Sequence, residues 1–343
     1  MVELAQEVLS GEEAWVVGGA VRDELLGREL VDLDIAVRDP RQAARDFAKA
    51  SGGAPFALSE QHGAWRVVFE DGRTVDFTPL PGSIEDDLAK RDFTINAIAR
   101  PLAGGEPVDP FGGAADLEER RLRAIGESVF RDDPLRLLRA VRLEDELELR
   151  LDDETEQLVQ RDAGLVTRPA GERMLAELRR LSPGGYRRLD ALGLLAPLGG
   201  RIDDRLDRWD SPDYRLVAVF GDELRRLPVS NELRRLAAAL LRAEPPEQDA
   251  RSIHRFRRAV EPWALEALAF LGASELTPLI ERARADEPAE PLLRGDELDL
   301  PPGPEIGRLL GEIEEERAAG TIVTREEALA YARRHAGTVR EDG

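Results

Sequence analysis

The chain has 343 residues and no cysteine, which excludes disulfides and thiolate metal sites. Its three histidines, His62, His254 and His335, are scattered, and none precedes an aspartate, so a His-Asp phosphohydrolase module is excluded as well. Lysine is nearly absent: Lys49 and Lys90 stand alone among 48 basic side chains, and the rest are arginine. The formal charge of −21 argues against a general nucleic-acid binder, whose phosphate contacts need Lys and Arg, although charge placement is the better guide. No apolar run approaches the roughly 20 residues that span a bilayer. Met1-Val2-Glu3-Leu4 lacks the basic and apolar pattern of a signal segment, so a cytoplasmic protein with no membrane partner is expected. With 42% apolar residues, a chain of this length can bury substantial cores in two or three domains.

What is present is organised around Val17-Gly18-Gly19-Ala20-Val21-Arg22-Asp23-Glu24-Leu25-Leu26-Gly27-Arg28, followed by Val31-Asp32-Leu33-Asp34-Ile35-Ala36-Val37. An apolar strand over residues 15–17 runs into two glycines and a helix-like segment. Its backbone N–H groups suit an anion, with Arg22 as a forked phosphate donor. Asp32 and Asp34 lie two apart on a strand pattern, so both carboxylates leave one face while Leu33 and Ile35 leave the other. Such a pair suits Mg2+, a hard cation that bridges carboxylates to substrate phosphates. Taken singly, the glycine pair is also the mark of a turn, and the aspartates that of a solvated strand edge. Together, in this order and this close, they are far more specific. Residues 64–69 and 73–78 flank Asp71-Gly72, a hairpin signal that sets Asp76 on a strand beside the pair. There it is either a third acidic residue of the site or a solvated carboxylate.

Two later segments carry further polar patterns. Lys90-Arg91-Asp92-Phe93-Thr94-Ile95-Asn96-Ala97 reads as a strand or a short helix. Phe130-Arg131-Asp132-Asp133-Pro134-Leu135-Arg136-Leu137-Leu138-Arg139-Ala140-Val141-Arg142 opens on acids and a proline, both favourable at a helix start. At about 100° per residue, Asp132, Asp133, Arg136 and Arg139 share one sector, with Leu137, Leu138 and Val141 opposite. In isolation this is a capped amphipathic helix with internal ion pairs.

In these residues the chain resembles the class II tRNA nucleotidyltransferases and their poly(A) polymerase relatives. Their head domain opens with Gly-Gly-x-Val-Arg-Asp, Leu-Leu-Gly and Asp-x-Asp. The resemblance implies an α/β nucleotidyltransferase head, polymerase-beta-like, followed by all-α neck, body and tail domains. It implies attack by the 3′-hydroxyl of a tRNA lacking its 3′ end on the α-phosphate of CTP or ATP, with release of pyrophosphate. Asp32 and Asp34 would hold Mg2+, with Asp76 as a third catalytic carboxylate. Gly18, Gly19 and Arg22 would take the triphosphate. Residues 90–97 resemble Arg-Arg-Asp-Phe-Thr-x-Asn-Ala, which gives Arg91, Asp92 and Asn96 the sugar and phosphates. Lys90 replaces the first Arg, keeping its charge but losing its fork. Residues 132–136 resemble Glu-Asp-x-x-Arg, whose Asp and Arg read the incoming base in place of a template. Asp133 and Arg136 inherit that role, and Asp132, Arg139 and Arg142 join the nucleotide-binding set. Asp132 stands where Glu is usual, which puts base switching in question. An acidic chain with arginine clusters is compatible with a selective RNA enzyme.

The expected division is head 1–125, neck 126–185, body 186–245 and tail 246–343, the tail binding tRNA. Residues 109–117 read as a link with capping acids and hinge glycines. Residues 167–178 resemble the last family motif, with Ala170 for a usual Ser. Met174, Leu175, Leu178 and Leu181 give that helix its core face, while Glu172 and Arg173 brace the neck. Gly303-Pro304 opens a tail helix, either as a plain start or as a phosphate-binding end. Family members that build the whole CCA end usually carry a charged Asp-x-Arg-x-Pro loop after the strand containing Asp76. Here residues 78–83, rich in proline, pass directly into 84–90, a short and stiff connection. That resembles the CC-adding branch, which leaves the last A to a separate A-adding enzyme. Full CCA synthesis and poly(A) polymerase activity are the alternatives within the family. Outside it stand nucleotidyl transfer to a small molecule or protein, and a non-catalytic tRNA-binding protein, which the intact aspartate pair disfavours.

Overall fold

The computed structural model describes residues 1–30, 32–59 and 63–336. Val31, His62 and the last residues of the expected tail lie outside the described residues. The chain divides into two compact units, Met1–Ile202 and Asp203–Gly343. The expected boundary at residue 185 falls inside the first unit and that at 245 inside the second.

The first unit begins with α1 (Val2–Val8), β1 (Ala14–Val17), α2 (Gly19–Leu25), β2 (Asp32–Val37) and α3 (Pro40–Ser51). β3 (Ala54–Ser59), β4 (Ala64–Val68), β5 (Thr74–Pro79), α4 (Ile84–Leu88), a 3-10 turn at Thr94–Asn96 and β6 (Ala99–Pro101) follow. The strands form one mixed sheet in the order β3-β4-β5-β2-β1-β6. β2 and β5 run parallel, and the other neighbours are antiparallel. Alternation along β2 and β5 buries Leu33, Ile35, Val75 and Phe77 on one face. α3 covers that side, packing on β4, β5 and β2, with the Phe47 ring 5.7 Å from that of Phe77. α3 starts where Asp39 accepts from the Gln42 N–H at 3.0 Å ahead of Pro40, and it stops at left-handed Gly52. The aspartates of β2 are thereby left on the opposite face.

After β5 the chain does not form an arm. Leu80, Ile84 and Leu88 are buried in one cluster with Val17, Ala36, Ala97 and Ala99. Ser83 and Asp86 close a reciprocal cap at the start of α4.

The sheet is followed by α5 (Gly113–Glu118), β7 (Arg121–Leu122), α6 (Val129–Asp132), α7 (Arg136–Glu146), β8 (Arg150–Leu151), α8 (Asp153–Asp162), α9 (Gly171–Leu178) and α10 (Pro183–Ala191). The single helix expected from residue 130 is in fact two. Asp133 is extended, at φ −143 and ψ 99, because Pro134 disfavours helical backbone in the residue before it and lacks an N–H. Asp132 ends α6 and Arg136 begins α7, so they no longer share a helical sector. Residues 109–117 supply caps: the Asp109 carboxylate accepts from the N–H groups of Gly113 and Ala114 at 2.8 and 2.9 Å. Asp116 is fully buried and accepts from Thr94 Oγ1 (2.6 Å), Arg121 Nε (2.9 Å) and Arg123 Nε (3.1 Å).

Among the described residues of the second unit the regular elements are all helices: α11 (Pro212–Phe220), α12 (Asn231–Arg242), α13 (Ala250–Val260), α14 (Ala264–Leu271), α15 (Thr277–Ala285), α16 (Pro304–Ala318) and α17 (Arg325–His335), with short 3-10 turns between some of them. Leu309 and Ile313 of α16 and Ala328 and Ala332 of α17 share a core with Leu293, Leu298 and Ile322. The expected α/β head and helical remainder are both present. No helix of the described residues is long and apolar enough to cross a membrane.

Asp116 ties the 3-10 turn to α5 and the strand after it. Asp116→Ala orphans the Thr94 hydroxyl and removes two charge-assisted bonds, so it is expected to cost about 3 kcal/mol of unfolding free energy, measured by urea titration.

Candidate active site

A cleft of about 740 Å³ opens on the uncovered face of β2, within the first unit. Its lining includes Gly18, Gly19, Arg22, Asp32, Asp34, Arg91, Asp92, Asn96, Arg136, Arg139 and Arg142. Asp76, Asp132 and Asp133 are not among the lining residues.

The glycines are needed sterically. Gly18 has φ +66, and a Cβ there would stand 2.8 Å from Arg91 Nη1; one on Gly19 would stand 3.3 Å from Arg22 Nη2. Two guanidinium groups therefore lie directly against the turn. Arg22 donates from Nε and Nη2 to the Asp23 carboxylate (3.0 Å each) and from Nη1 to Asn96 Oδ1 (2.7 Å). Arg91 is held by Asp87 at 2.7 Å.

On β2, Asp32 is exposed and accepts from Thr74 Oγ1 at 2.7 Å. Asp34 has no ion pair among the described residues. Burial, and then the charge of Asp76, push its carboxyl up to about 6. Asp76 stands opposite Asp34 in register, but Arg66 answers its charge with two bonds of 2.6 Å. Among the described residues no three His, Cys, Asp or Glu side chains converge as a metal cage. A pair of carboxylates short of positive charge still fits Mg2+, which keeps several waters and takes one or two carboxylates plus substrate phosphates.

From Asn96 a chain of alternating charges runs into the helices. Asn96 Nδ2 donates to Asp92 Oδ1 (2.9 Å), and Arg139 Nη1 to Asp92 Oδ2 (3.1 Å). Arg139 Nε reaches Glu177 (3.2 Å), whose other oxygen accepts from Arg142 Nε. Arg142 and Arg180 then share Glu146, both at 2.7 Å. Burial opposes the charge on Asp92, yet Arg139, Asn96 and the Phe93 N–H hold its carboxyl below the usual range.

Residues 14–81 and 66–123 match the family model of the poly(A) polymerase head domain. Over 94% of its length, covering 95% of the relative, the chain is 36% identical to an A-adding tRNA nucleotidyltransferase of Deinococcus radiodurans. The chain belongs to the class II tRNA nucleotidyltransferase family. It is also 33% identical to a CC-adding tRNA nucleotidyltransferase of Thermus thermophilus, over 93% of each chain. A solved CCA-adding enzyme complexed with ATP shares the fold, with a TM-score of 0.73 at 22% identity over 97% of this chain and 94% of that one. The two sequence relatives differ in the nucleotide their names assign them.

The residues that resemble the family's base-reading motif are engaged elsewhere. Asp132 is exposed and accepts from Ser128 Oγ at 2.7 Å. Asp133 accepts from Arg173 (2.8 Å) and the Leu135 N–H (3.1 Å). Arg136 donates to two carbonyls, Lys90 O (2.8 Å) and Val129 O (3.3 Å). Arg173 thus braces Asp133, while Glu177, Glu146, Arg180 and Asp87 are members of the cleft that a reading by motif passes over. Glu177 had a signal: it sits beside Leu178 on the buried side of α9, where an acid is rare unless paired.

The raised carboxyl of Asp34 has a consequence for stability. With its folded pKa about 6 and its ordinary value 3.8, the folded state holds a proton that the unfolded state has released. Without metal, stability therefore falls as pH rises through that window and stays lower above it. Asp34→Asn is expected to remove this contribution to the slope and, in chelator near neutral pH, to raise the unfolding free energy by up to about 3 kcal/mol, checked by denaturation at several pH values.

Proposed function

We propose that this chain adds nucleotides to the 3′ end of tRNA, joining CMP or AMP from CTP or ATP to the terminal hydroxyl and releasing pyrophosphate. The observation that carries the reading is the convergence in one cleft of an uncompensated carboxylate pair, a glycine turn backed by two guanidinium groups, and a buried arginine–carboxylate chain. The near full-length relatives, both tRNA nucleotidyltransferases, support it.

Asp32 and Asp34 are the residues that would hold Mg2+. Bound there, it supplies Lewis-acid activation of the 3′-hydroxyl and charge neutralisation at the leaving phosphates. Gly18 and Gly19 let the triphosphate approach backbone, and Arg22 and Arg91, fixed by Asp23 and Asp87, orient it. Asp92 and Asn96 meet the ribose. Asp133 and Arg136 read the base once they exchange their contacts with Arg173 and with the Lys90 and Val129 carbonyls for the nucleotide: a carboxylate accepts from the amino group of C or A, and a guanidinium donates to the ring nitrogen and carbonyl. Arg139 and Arg142 keep this wall of the cleft rigid through Glu177. Asp76 acts through its charge on Asp34, and Asp132 has no part beyond its bond to Ser128. In this reading residues 1–125 are the catalytic head, 126–185 the base-reading neck, 186–245 the body and 246–343 the tRNA-binding tail of a cytoplasmic enzyme.

For the finer specificity we favour addition of two cytidines. The connection from β5 to α4 is pinned by Leu80, Ile84, Leu88 and a reciprocal cap, which leaves no mobile arm to reorient the base-reading side chains. Addition of A to an end already carrying CC is the competing reading, favoured by the Deinococcus relative. Incubating the enzyme with tRNA transcripts ending before CCA, or in CC, with CTP or ATP separates them. The CC reading expects two cytidines and then a stall. Efficient use of ATP on the CC end without C addition selects the A-adding reading, and no incorporation into either transcript sinks tRNA 3′-end transfer altogether.

A further inference from the structure

The sheet register lines up four side chains across four strands. Asp34 of β2 is opposite Asp76 of β5, Asp76 is opposite Arg66 of β4, and Arg66 is opposite Phe56 of β3. Directly opposed residues share a face, so the row begins at the carboxylate pair and ends at the sheet's edge. With strands about 4.8 Å apart, Phe56 lies about 14 Å from Asp34. α3 covers the other face, so the row stands on the same sheet face as the cleft, which it leaves after Asp34. Phe56 is 45% exposed, and Leu58, at the register shift two residues on, is 44% exposed, unusual values for large apolar side chains. Arg66 gives Nε and Nη2 to Asp76, which leaves its Nη1 donors for a further acceptor. The two flanks of the carboxylate pair therefore differ. Toward β1 and α2 lie the glycine turn and the two arginines suited to a triphosphate. Toward β3 lie one guanidinium and an open aromatic ring, which suit a chain with one phosphate per unit and flat bases.

We infer that this row is the track of the RNA substrate's single-stranded 3′ end, with a base upstream of the reacting hydroxyl stacked on Phe56 and the intervening phosphate beside Arg66. The inference rests on the nucleotidyl-transfer reading of the same cleft. Stacking on an aromatic ring tolerates any base, as a site that must accept successive ends of a growing strand requires. The test is steady-state addition of CMP, or AMP if that is the nucleotide used, to a tRNA transcript by wild type, Phe56→Ala, Phe56→Leu and Phe56→Trp. Nucleotide affinity is measured separately without RNA. Loss of one stacked base is expected to raise the KM for tRNA about 5- to 150-fold in Phe56→Ala. Nucleotide affinity and melting temperature stay at wild-type values, Phe56→Trp restores tRNA binding, and Phe56→Leu does not. Unchanged KM for tRNA in Phe56→Ala, or full rescue by Leu, overturns the track. So does sedimentation showing a wild-type dimer that Phe56→Ala dissociates, since the ring then serves contact between copies. Wild-type addition keeps the two readings apart. If wild type adds nothing to any tRNA, the function falls and the track with it; normal wild-type addition with an unaltered variant removes the track alone.

Discussion

The site depends on a negative charge that the protein leaves unanswered. Around the cleft, carboxylate after carboxylate meets a guanidinium: Asp23 with Arg22, Asp87 with Arg91, Asp92 with Arg139, Asp76 with Arg66. Asp32 and Asp34 are left without such a partner among the described residues, and burial drives Asp34 toward its protonated form. Two like charges on one strand face, half removed from water, are tolerable only if a cation or a proton joins them. The fold enforces that condition, because alternation on β2 cannot turn the aspartates inward without exposing Leu33 and Ile35.

The near absence of lysine suits the same electrostatics. Arg139 bridges Asp92 and Glu177, Arg142 bridges Glu177 and Glu146, and Arg188 bridges Glu144 and Glu156. A planar fork with five donors serves two carboxylates at once in fixed geometry, which a lysine ammonium does not. Much of the arginine in a chain of net charge −21 is thus structural. The arginines against the glycine turn stand out because they reach the cleft while already oriented by acids. Such preorganisation avoids the cost of ordering flexible side chains when a phosphate arrives.

Much of this was legible in the sequence. The alternation at residues 32–37, the Asp71-Gly72 turn and the Gly18-Gly19 break each depend on local backbone rules, and each appears where those rules place it. The interruption at Asp133 was legible too, since proline constrains the residue before it, but the 3.6-residue periodicity of the surrounding leucines pointed to one helix. The role of Glu177 was only half visible, because its partners lie on α7, more than thirty residues earlier in the chain. The alignment of Asp34 with Arg66 and Phe56 was beyond reach. β2 and β5 are not consecutive, and register between such strands is set by tertiary packing.

The stiffness of the connection after β5 and the rigidity of the arginine chain matter only if the carboxylate pair on β2 does the chemistry. That is tested most directly by nucleotide incorporation into a tRNA transcript by purified Asp32→Ala and Asp34→Ala, each shown to be folded, beside wild type. Removing one ligand of a charge-stabilising cation is worth several kcal/mol in the transition state, so each variant is expected to lose activity by about a hundred-fold or more. Near-normal incorporation by both folded variants would contradict the account.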